Sequence, residues 1–121
     1  MANVLLLDKD TRRARLATWV LEPYHAVDTR HTLQAVADHV PEINPDVIIY
    51  STQLYEGDQS GEILRALTKG PNEPPRVLAI EDRGALPART IPAPVDAVIS
   101  SPFDAEDLFA TLNTVLGKPY R

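Results

Sequence analysis

The chain contains no cysteine, which removes several kinds of site at once. Disulfides, cysteine-ligated zinc and cysteine nucleophiles are excluded, and the absence fits the reducing cytoplasm. Long apolar runs are also missing, since no stretch reaches the ~18 residues that a membrane span needs. The N-terminal segment meets Asp8 too early, and lacks the basic start, for a secretory signal peptide. We therefore expect a cytoplasmic protein with no membrane partner.

Positive charge is scarce as well. The chain has 12 basic and 17 acidic residues and a formal net charge of −5. Nucleic-acid binding depends on neutralising phosphates, so we expect no nucleic-acid partner for this domain. The local basic cluster of Arg12, Arg13 and Arg15 is interpreted as a solvated face at the start of a helix.

Glycine is rare, and no glycine-rich phosphate loop follows any predicted strand. Ser51 also lacks the flanking glycines of a nucleophile elbow. The three histidines, His25, His31 and His39, lie in or beside separate elements without metal-site spacing, and are interpreted as solvated or capping residues. The sequence therefore predicts no cofactor and no metal site.

Short apolar runs without alternation predict strands that are covered on both faces. They are Val4–Leu7, Val47–Tyr50 and Val77–Ile80, with Val95–Ile99 as a less pure fourth run and His25–Thr29 as a weaker candidate. The length of 121 residues fits one domain. We place that domain at residues 1–117 and interpret residues 118–121 as a tail or the start of a linker.

Apolar spacings of three and four residues predict amphipathic helices between the strands. In the first helix, Leu16, Trp19 and Val20 share a face, so we expect Trp19 in the core. Asp104 and Gly117 are expected to cap the last helix. The alternation predicts an α/β fold with a five-stranded, doubly wound, flavodoxin-like parallel sheet and a site at the carboxyl ends of the strands. Three prolines in residues 84–94 predict an irregular loop where a fourth helix belongs.

Five segments in this order resemble the receiver domain of two-component response regulators. They are Val4–Asp10, Asn44–Ser51, Gly61–Leu67, Arg76–Ile80 and Asp96–Phe103. The resemblance covers nearly the whole chain. It implies a site in which an aspartate after the third strand accepts a phosphoryl group, an acidic pair helps to hold Mg²⁺, and a Thr or Ser and a Lys bind the phosphoryl oxygens. It also implies a cis peptide bond before Pro102.

The chain departs from the receiver pattern at almost every functional position. Asp8 and Lys9 stand at the two positions of the acidic pair, and Ser51 stands at the position of the phosphate acceptor. Glu81 replaces the Thr or Ser of the pattern, and Ser101 replaces its lysine. Val98 takes the place of the switch aromatic. A serine hydroxyl, unlike a carboxylate, is not ionised and needs an adjacent base to attack phosphorus. We expect Lys9 to form an ion-pair cluster with Asp8, and with Glu81 or Asp10, in place of a metal.

These departures predict a receiver-like domain that is not an enzyme and that acts, without aspartyl phosphorylation, in signal transduction or transcriptional regulation. Its expected partner is a protein or a fused effector domain, and a homodimer is left open. The resemblance implies a docking surface on the fifth strand and last helix, edged by the proline-rich segment. Exposure of Leu86 and Ile91 in that segment would support this surface. Two alternatives remain: a small-ligand sensor whose pocket is lined by the five polar positions, and an active phosphotransfer receiver that uses Asp10 or Asp58.

Overall fold

The computed structural model describes residues 1–38, 43–54, 58–69, 74–82 and 95–117. Within these ranges, five strands form one parallel sheet in the order β2-β1-β3-β4-β5. The strands are β1 (Asn3–Leu7), β2 (Ala26–Arg30), β3 (Val47–Ser51), β4 (Arg76–Glu81) and β5 (Ala97–Ser100). The predicted doubly wound, flavodoxin-like α/β fold is confirmed.

Helices cover both faces of the sheet. They are α1 (Thr11–Leu21), α2 (Gln34–Ala37), α3 (Asp58–Thr68) and α4 (Ala105–Leu116), with a 3₁₀ turn at Thr52–Leu54. One core lies between the sheet and the α1 and α4 side, and a second core lies on the α2 and α3 side. Because the central strand β3 is buried at all five positions, its sequence is an apolar run with no alternation.

Side-chain caps fix where the two helices flanking one face begin. The Asp10 carboxylate accepts hydrogen bonds from the backbone N–H groups of Arg12 and Arg13, both at 3.1 Å. Asp104 and Asp107 form a capping box at the start of α4. Gly117 ends α4 in the left-handed conformation, with φ of 71°, where a side chain would be strained. The predicted caps of the last helix are confirmed.

The orientation of α1 differs from the prediction. Its buried residues are Ala14, Ala17 and Leu21. Trp19, which we predicted in the core, is 73% exposed, and Leu16 on the same predicted face is 56% exposed, while Val20 is partly buried. The physical reason is that α1 packs on the sheet through a stripe that contains Ala14 and Ala17. These small side chains let the helix backbone approach the strands closely, and Leu16 and Trp19 therefore point away from the sheet.

Several predictions fall outside the described ranges. They concern the irregular proline-containing segment at 84–94 with Leu86 and Ile91, the tail at 118–121, and His39. Among the helices that the structure does describe, none has both the length and the apolar character needed to cross a membrane.

Candidate functional site

The predicted site residues converge at the carboxyl edge of the sheet. Asp8 follows β1, Ser51 ends β3, and Ser101 follows β5. β1, β3, β4 and β5 are consecutive neighbours in the sheet, so their ends lie side by side. Asp8 and Ser51 are both fully buried. A buried carboxylate needs a partner, and the identity of that partner defines this site.

The partner of Asp8 is Arg13. Arg13 Nε donates to Asp8 Oδ2 at 2.6 Å, and Nη2 donates to Asp8 Oδ1 at 2.7 Å, which makes a bidentate ion pair. Nη1 donates to Asp82 Oδ1 and, at 3.1 Å, to Ser101 Oγ. Nη2 also donates to Ser51 Oγ at 3.2 Å. One guanidinium thus contacts three of the five positions that the resemblance marked as functional.

These contacts use the full donor capacity of the guanidinium. Arginine carries five N–H donors in a fixed planar fork, and five hydrogen bonds from Arg13 reach Asp8, Asp82, Ser51 and Ser101. The Arg13 side chain is 12% exposed. Serine at positions 51 and 101 therefore has a structural use here, because a small neutral hydroxyl accepts a hydrogen bond from the partly buried cation.

Local backbone geometry explains why Arg13 reaches the strand ends. Asp10 is the N-cap of α1, so Arg13 lies in the first turn. Helical side chains tilt towards the helix N-terminus, which directs Arg13 back over the turn after β1. That turn is held by a 3.0 Å hydrogen bond from Asp10 N–H to Asp8 Oδ1. Asp8 thus fixes both the turn and the arginine.

Two predictions about charge at this site were wrong. Arg13 is not part of a solvated face, although Arg12 and Arg15 are exposed. The cation that pairs with Asp8 is Arg13, and exposed Lys9 forms no ion pair with any residue in the described ranges. Sequence reasoning assigned α1 the wrong inner face and so missed Arg13.

The second carboxylate of the cluster was also misassigned. It belongs to Asp82, one residue beyond the half-buried Glu81 that the resemblance indicated. Asp10, offered as an ion-pair partner or alternative acceptor, caps α1 with its carboxylate. The side chain of Asp58, the other alternative acceptor, is not among those that the structure describes. The signal for Asp82 was its place at the end of a buried strand, next to Glu81.

Burial lowers the pKa of Arg13, but hydrogen bonds and charge attraction from Asp8 and Asp82 outweigh this, so its pKa is raised. The guanidinium is therefore a permanent cation between two carboxylates. Counting one positive and two negative charges, the cluster carries a net charge of −1 before any contribution from Lys9. The second oxygen of Asp82, Oδ2, has no hydrogen-bond partner in the described part of the chain.

The residues present do not fit the Mg²⁺ that the receiver resemblance implies. Mg²⁺ requires near-octahedral oxygen ligands, commonly one or two carboxylates with waters. Both oxygens of Asp8 already accept hydrogen bonds from Arg13, and Lys9 replaces the second acid of the pair. Within the described ranges, no three His, Asp or Glu side chains are grouped as a metal site would need. Arg13 supplies the positive charge instead.

Two further positions from the resemblance lie on or after β5. The Ser101–Pro102 peptide bond is cis. Val98, at the switch-aromatic position, is 44% exposed. Ala97 and Ile99 pack towards α4, so alternation along the strand places Val98 on the opposite face of the sheet.

The histidines differ in their surroundings. His25 is buried rather than solvated, and its Nδ1 accepts a hydrogen bond from Ala2 N–H at 3.2 Å. Burial first, and the N-terminal amino group second, lower the pKa of His25. His31 is exposed, and its Nδ1 lies 3.0 Å from the carbonyl oxygen of Asp8, which can only accept, so Nδ1 carries the proton.

A cavity of about 340 Å³ lies beside the arginine cluster. The residues that line it follow β1, β2 and β3: Lys9, His31, Thr32, Leu33, Gln34, Leu54, Gln59, Ser60 and Ile63. Of the five polar positions expected to line a ligand pocket, Lys9 alone is among these described lining residues. The expected pocket position is therefore filled by Arg13, and the open volume lies next to it.

Several solved structures have the same fold as this chain. A response regulator receiver protein from Burkholderia phymatum matches with a TM-score of 0.77 and 23% identity, over 98% of this chain and 97% of that chain. A CheY-like receiver domain protein from Methanospirillum hungatei JF-1 matches with a TM-score of 0.77 and 18% identity, over 97% and 94%.

A third match comes from a multidomain protein. It is the N-terminal domain of a response regulator/sensory box/GGDEF 3-domain protein from Carboxydothermus hydrogenoformans, with a TM-score of 0.74 and 17% identity over 95% of this chain and 94% of that chain. No protein-family model and no curated protein sequence matches. Because these identities are below 25%, the likeness establishes the receiver-type fold alone.

Proposed function

We propose that this chain is a receiver-like signalling domain that acts through protein–protein contacts and requires no aspartyl phosphorylation. In this proposal it is not an enzyme, and it acts in signal transduction or transcriptional regulation. The observation that carries the proposal is the partly buried guanidinium of Arg13, which donates hydrogen bonds to Asp8, Asp82, Ser51 and Ser101. Three of the residues that it contacts, Asp8, Ser51 and Ser101, stand at positions where the receiver resemblance would put the groups that bind a phosphoryl group and its metal.

Electrostatics support this reading. A receiver site that is phosphorylated needs a nucleophilic carboxylate, and it needs unpaired carboxylates as metal ligands. The acceptor position here is instead the neutral hydroxyl of Ser51. The Ser51 hydroxyl oxygen accepts a hydrogen bond from Arg13, which lowers its electron density and opposes nucleophilic attack. The nearby carboxylates of Asp8 and Asp82 both form ion pairs with Arg13, so this cation and not a metal ion balances their charge.

The expected partners follow from the fold and from exposure. A solved structure with this fold is one domain of a three-domain protein, so a fused effector domain is one partner in this proposal. A separate protein partner is the other option. In the described part of the docking surface, β5 is the edge strand and Val98 is exposed, as a protein contact on this side would need.

The test uses the wild-type protein with Mg²⁺ and acetyl phosphate, followed by intact mass, and with beryllofluoride, followed by backbone amide shifts. We expect no added mass of a phosphoryl group and no saturable shift at Asp8, Ser51 or Ser101. A receiver domain with an intact aspartate acceptor, treated in parallel, shows that the reagents are active. An alkali-labile mass gain in this chain would overturn the proposal.

A second candidate function is favoured by the cavity beside the cluster. Its volume of about 340 Å³ is within the range of small-molecule sites. It lies where the strand order reverses between β1 and β3, the position at which open α/β sheets bind ligands. Lys9 is the one charged side chain among its described lining residues, beside the apolar Leu33, Leu54 and Ile63. That lining fits a small organic anion with an apolar part.

This candidate is tested by titrating the protein with sodium benzoate, with benzyl alcohol as the uncharged control, while amide shifts are recorded. A sensor for small anions predicts saturable benzoate shifts at His31, Thr32 and Ser60 that weaken in Lys9→Gln. Equal responses to both probes, or none up to their solubility limits, would remove this candidate. Benzoate binding without any effect of beryllofluoride would keep both proposals, because the cavity and the arginine cluster are separate.

A further inference from the structure

The outer face of α1 carries an apolar patch with charges at both ends. Trp19 is 73% exposed and Leu16 is 56% exposed. Arg12 and Arg15 are also exposed, and neither has an ion pair with a residue in the described ranges. Tryptophan and arginine are the residue types most enriched at the energetic centres of protein interfaces. This face therefore has the composition of a contact surface.

Helical geometry places these residues on one side. At 3.6 residues per turn, positions 12, 15, 16, 19 and 22 fall within an arc of about 120°. The buried Ala14, Ala17 and Leu21 occupy the opposite side. Exposed Glu22, the C-cap of α1, extends the outer face at its C-terminal end. The face thus runs from arginines, through Trp19, to a carboxylate.

We propose that this face is the contact between two copies of the chain, packed with their α1 helices antiparallel about a two-fold axis near Trp19. In such an isologous contact, each residue meets the residue that lies equally far on the other side of the axis. An axis between Thr18 and Trp19 brings Trp19 next to Trp19 of the partner subunit. It also places Arg15 opposite Glu22 of the partner subunit, and the symmetry makes this ion pair twice.

The spacing of the two charged residues supports this arrangement. Arg15 and Glu22 are seven residues apart, which is close to two helical turns, so both lie on the same edge of the outer face. A two-fold axis perpendicular to the helices keeps that edge aligned in the partner. The pairing therefore needs no rotation of α1, which its buried alanine stripe holds against the sheet.

Charge complementarity favours a second copy over other occupants. An acidic helix of another protein would neutralise Arg12 and Arg15, but it would place a like charge against Glu22. Nucleic acid would meet the same carboxylate on a chain with net charge −5. A second antiparallel copy satisfies Arg15 and Glu22 together and covers both tryptophans.

The contact is expected to be weak. An α1 of 11 residues is about 16 Å long, so one helix face buries much less than the area of a stable dimer. We expect a dissociation constant on the order of 10⁻⁴ M. The association also depends on salt, because the Arg15–Glu22 pairs are at the solvent-exposed edge of the contact.

The experiment is sedimentation equilibrium of the whole chain between about 10 μM and 1 mM, a range that brackets the expected dissociation constant. Trp19→Ala, Arg15→Glu and Glu22→Arg should each weaken dimerisation by about tenfold or more. The double variant Arg15→Glu/Glu22→Arg should recover to within about threefold of wild type, because the exchanged charges pair again across the axis. Far-UV circular dichroism checks that each variant is folded.

A matched control is Arg65→Glu, which makes the same charge change in the last turn of α3, on the other side of the sheet. It should leave the dissociation constant unchanged. A wild-type chain that is monomeric at about 1 mM overturns the proposal. So does a dimer that Trp19→Ala does not weaken, or a double variant that is no better than either single variant. None of these outcomes depends on the phosphorylation state of the site.

Discussion

Replacing Arg13 tests the assignment of the closed site most directly. Arg13→Met removes the guanidinium but keeps the aliphatic stem that packs beside the strand ends. The change leaves Asp8, whose side chain is 0% exposed, without its bidentate partner, and it removes the ion pair between Arg13 and Asp82. Two carboxylates then lie close together with no compensating positive charge from Arg13.

The expected loss of stability is large. Removing one member of a buried ion pair costs about 3–5 kcal/mol, because the other charge is left unpaired. We take the lower value, about 3 kcal/mol, since the Arg13 and Asp82 side chains retain slight exposure. The free energy of unfolding of a native protein is about 5–15 kcal/mol, so the variant should lose a substantial fraction of its stability. Arg15→Met, in the same helix but exposed, should change stability by about 0.5 kcal/mol or less.

Mg²⁺ should then recover part of the loss in Arg13→Met alone. With a dissociation constant of about 1 mM, 10 mM Mg²⁺ would stabilise the variant by about 1.4 kcal/mol. Wild type and Arg15→Met should not respond, because their Asp8 oxygens remain bonded to Arg13. Urea unfolding followed by circular dichroism, with and without Mg²⁺, measures all three proteins. Equal costs for Arg13→Met and Arg15→Met, or equal Mg²⁺ stabilisation of wild type, would refute the reasoning.

Three smaller predictions concern the scaffold. Asp104→Ala removes the capping box of α4 and should cost about 1 kcal/mol in urea unfolding. Ala17→Leu overfills the contact between α1 and the sheet and should cost about 1–3 kcal/mol by the same measurement. Burial lowers the pKa of His25 from 6.5, so as pH falls the unfolded chain binds the proton before the folded chain does. The contribution of neutral His25 to the free energy of unfolding is therefore fully present above about pH 6.5 and decreases as pH falls below that value. His25→Gln should remove this part of the pH dependence; a wild-type-minus-variant difference that is equal at about pH 7.5 and pH 5.5 would contradict it.

The sheet was predictable from sequence because both of its faces are buried. Val47–Ser51 has no polar position before its last residue, and such a run has few interpretations other than a central parallel strand. The end of each strand was equally visible, so Asp8 and Ser51 were placed correctly at one edge. Strand ends are marked by an abrupt change in polarity, which a single sequence displays.

The partner of Asp8 was not predictable by the same means. The apolar pattern of α1 is dominated by Leu16 and Trp19, which indicated an inner face that the sheet does not use. The residues that pack closely against the strands are instead Ala14 and Ala17. Their small side chains contribute little to the hydrophobic pattern of the sequence. Helix rotation is decided by how near the backbone can approach, and this depends on tertiary structure that the pattern does not contain.

One packing choice therefore produces both features that carry the functional argument. With Ala14 and Ala17 against the sheet, Arg13 is directed to the strand ends. Trp19 lies about 120° from Arg13 around the helix axis and is exposed to solvent. The opposite choice would bury Trp19 and expose Arg13, and Asp8 would lose its cation. Because the alanine stripe holds the helix, the two features should respond independently. Arg13→Met should change the Mg²⁺ response and leave self-association intact, and Trp19→Ala should do the reverse.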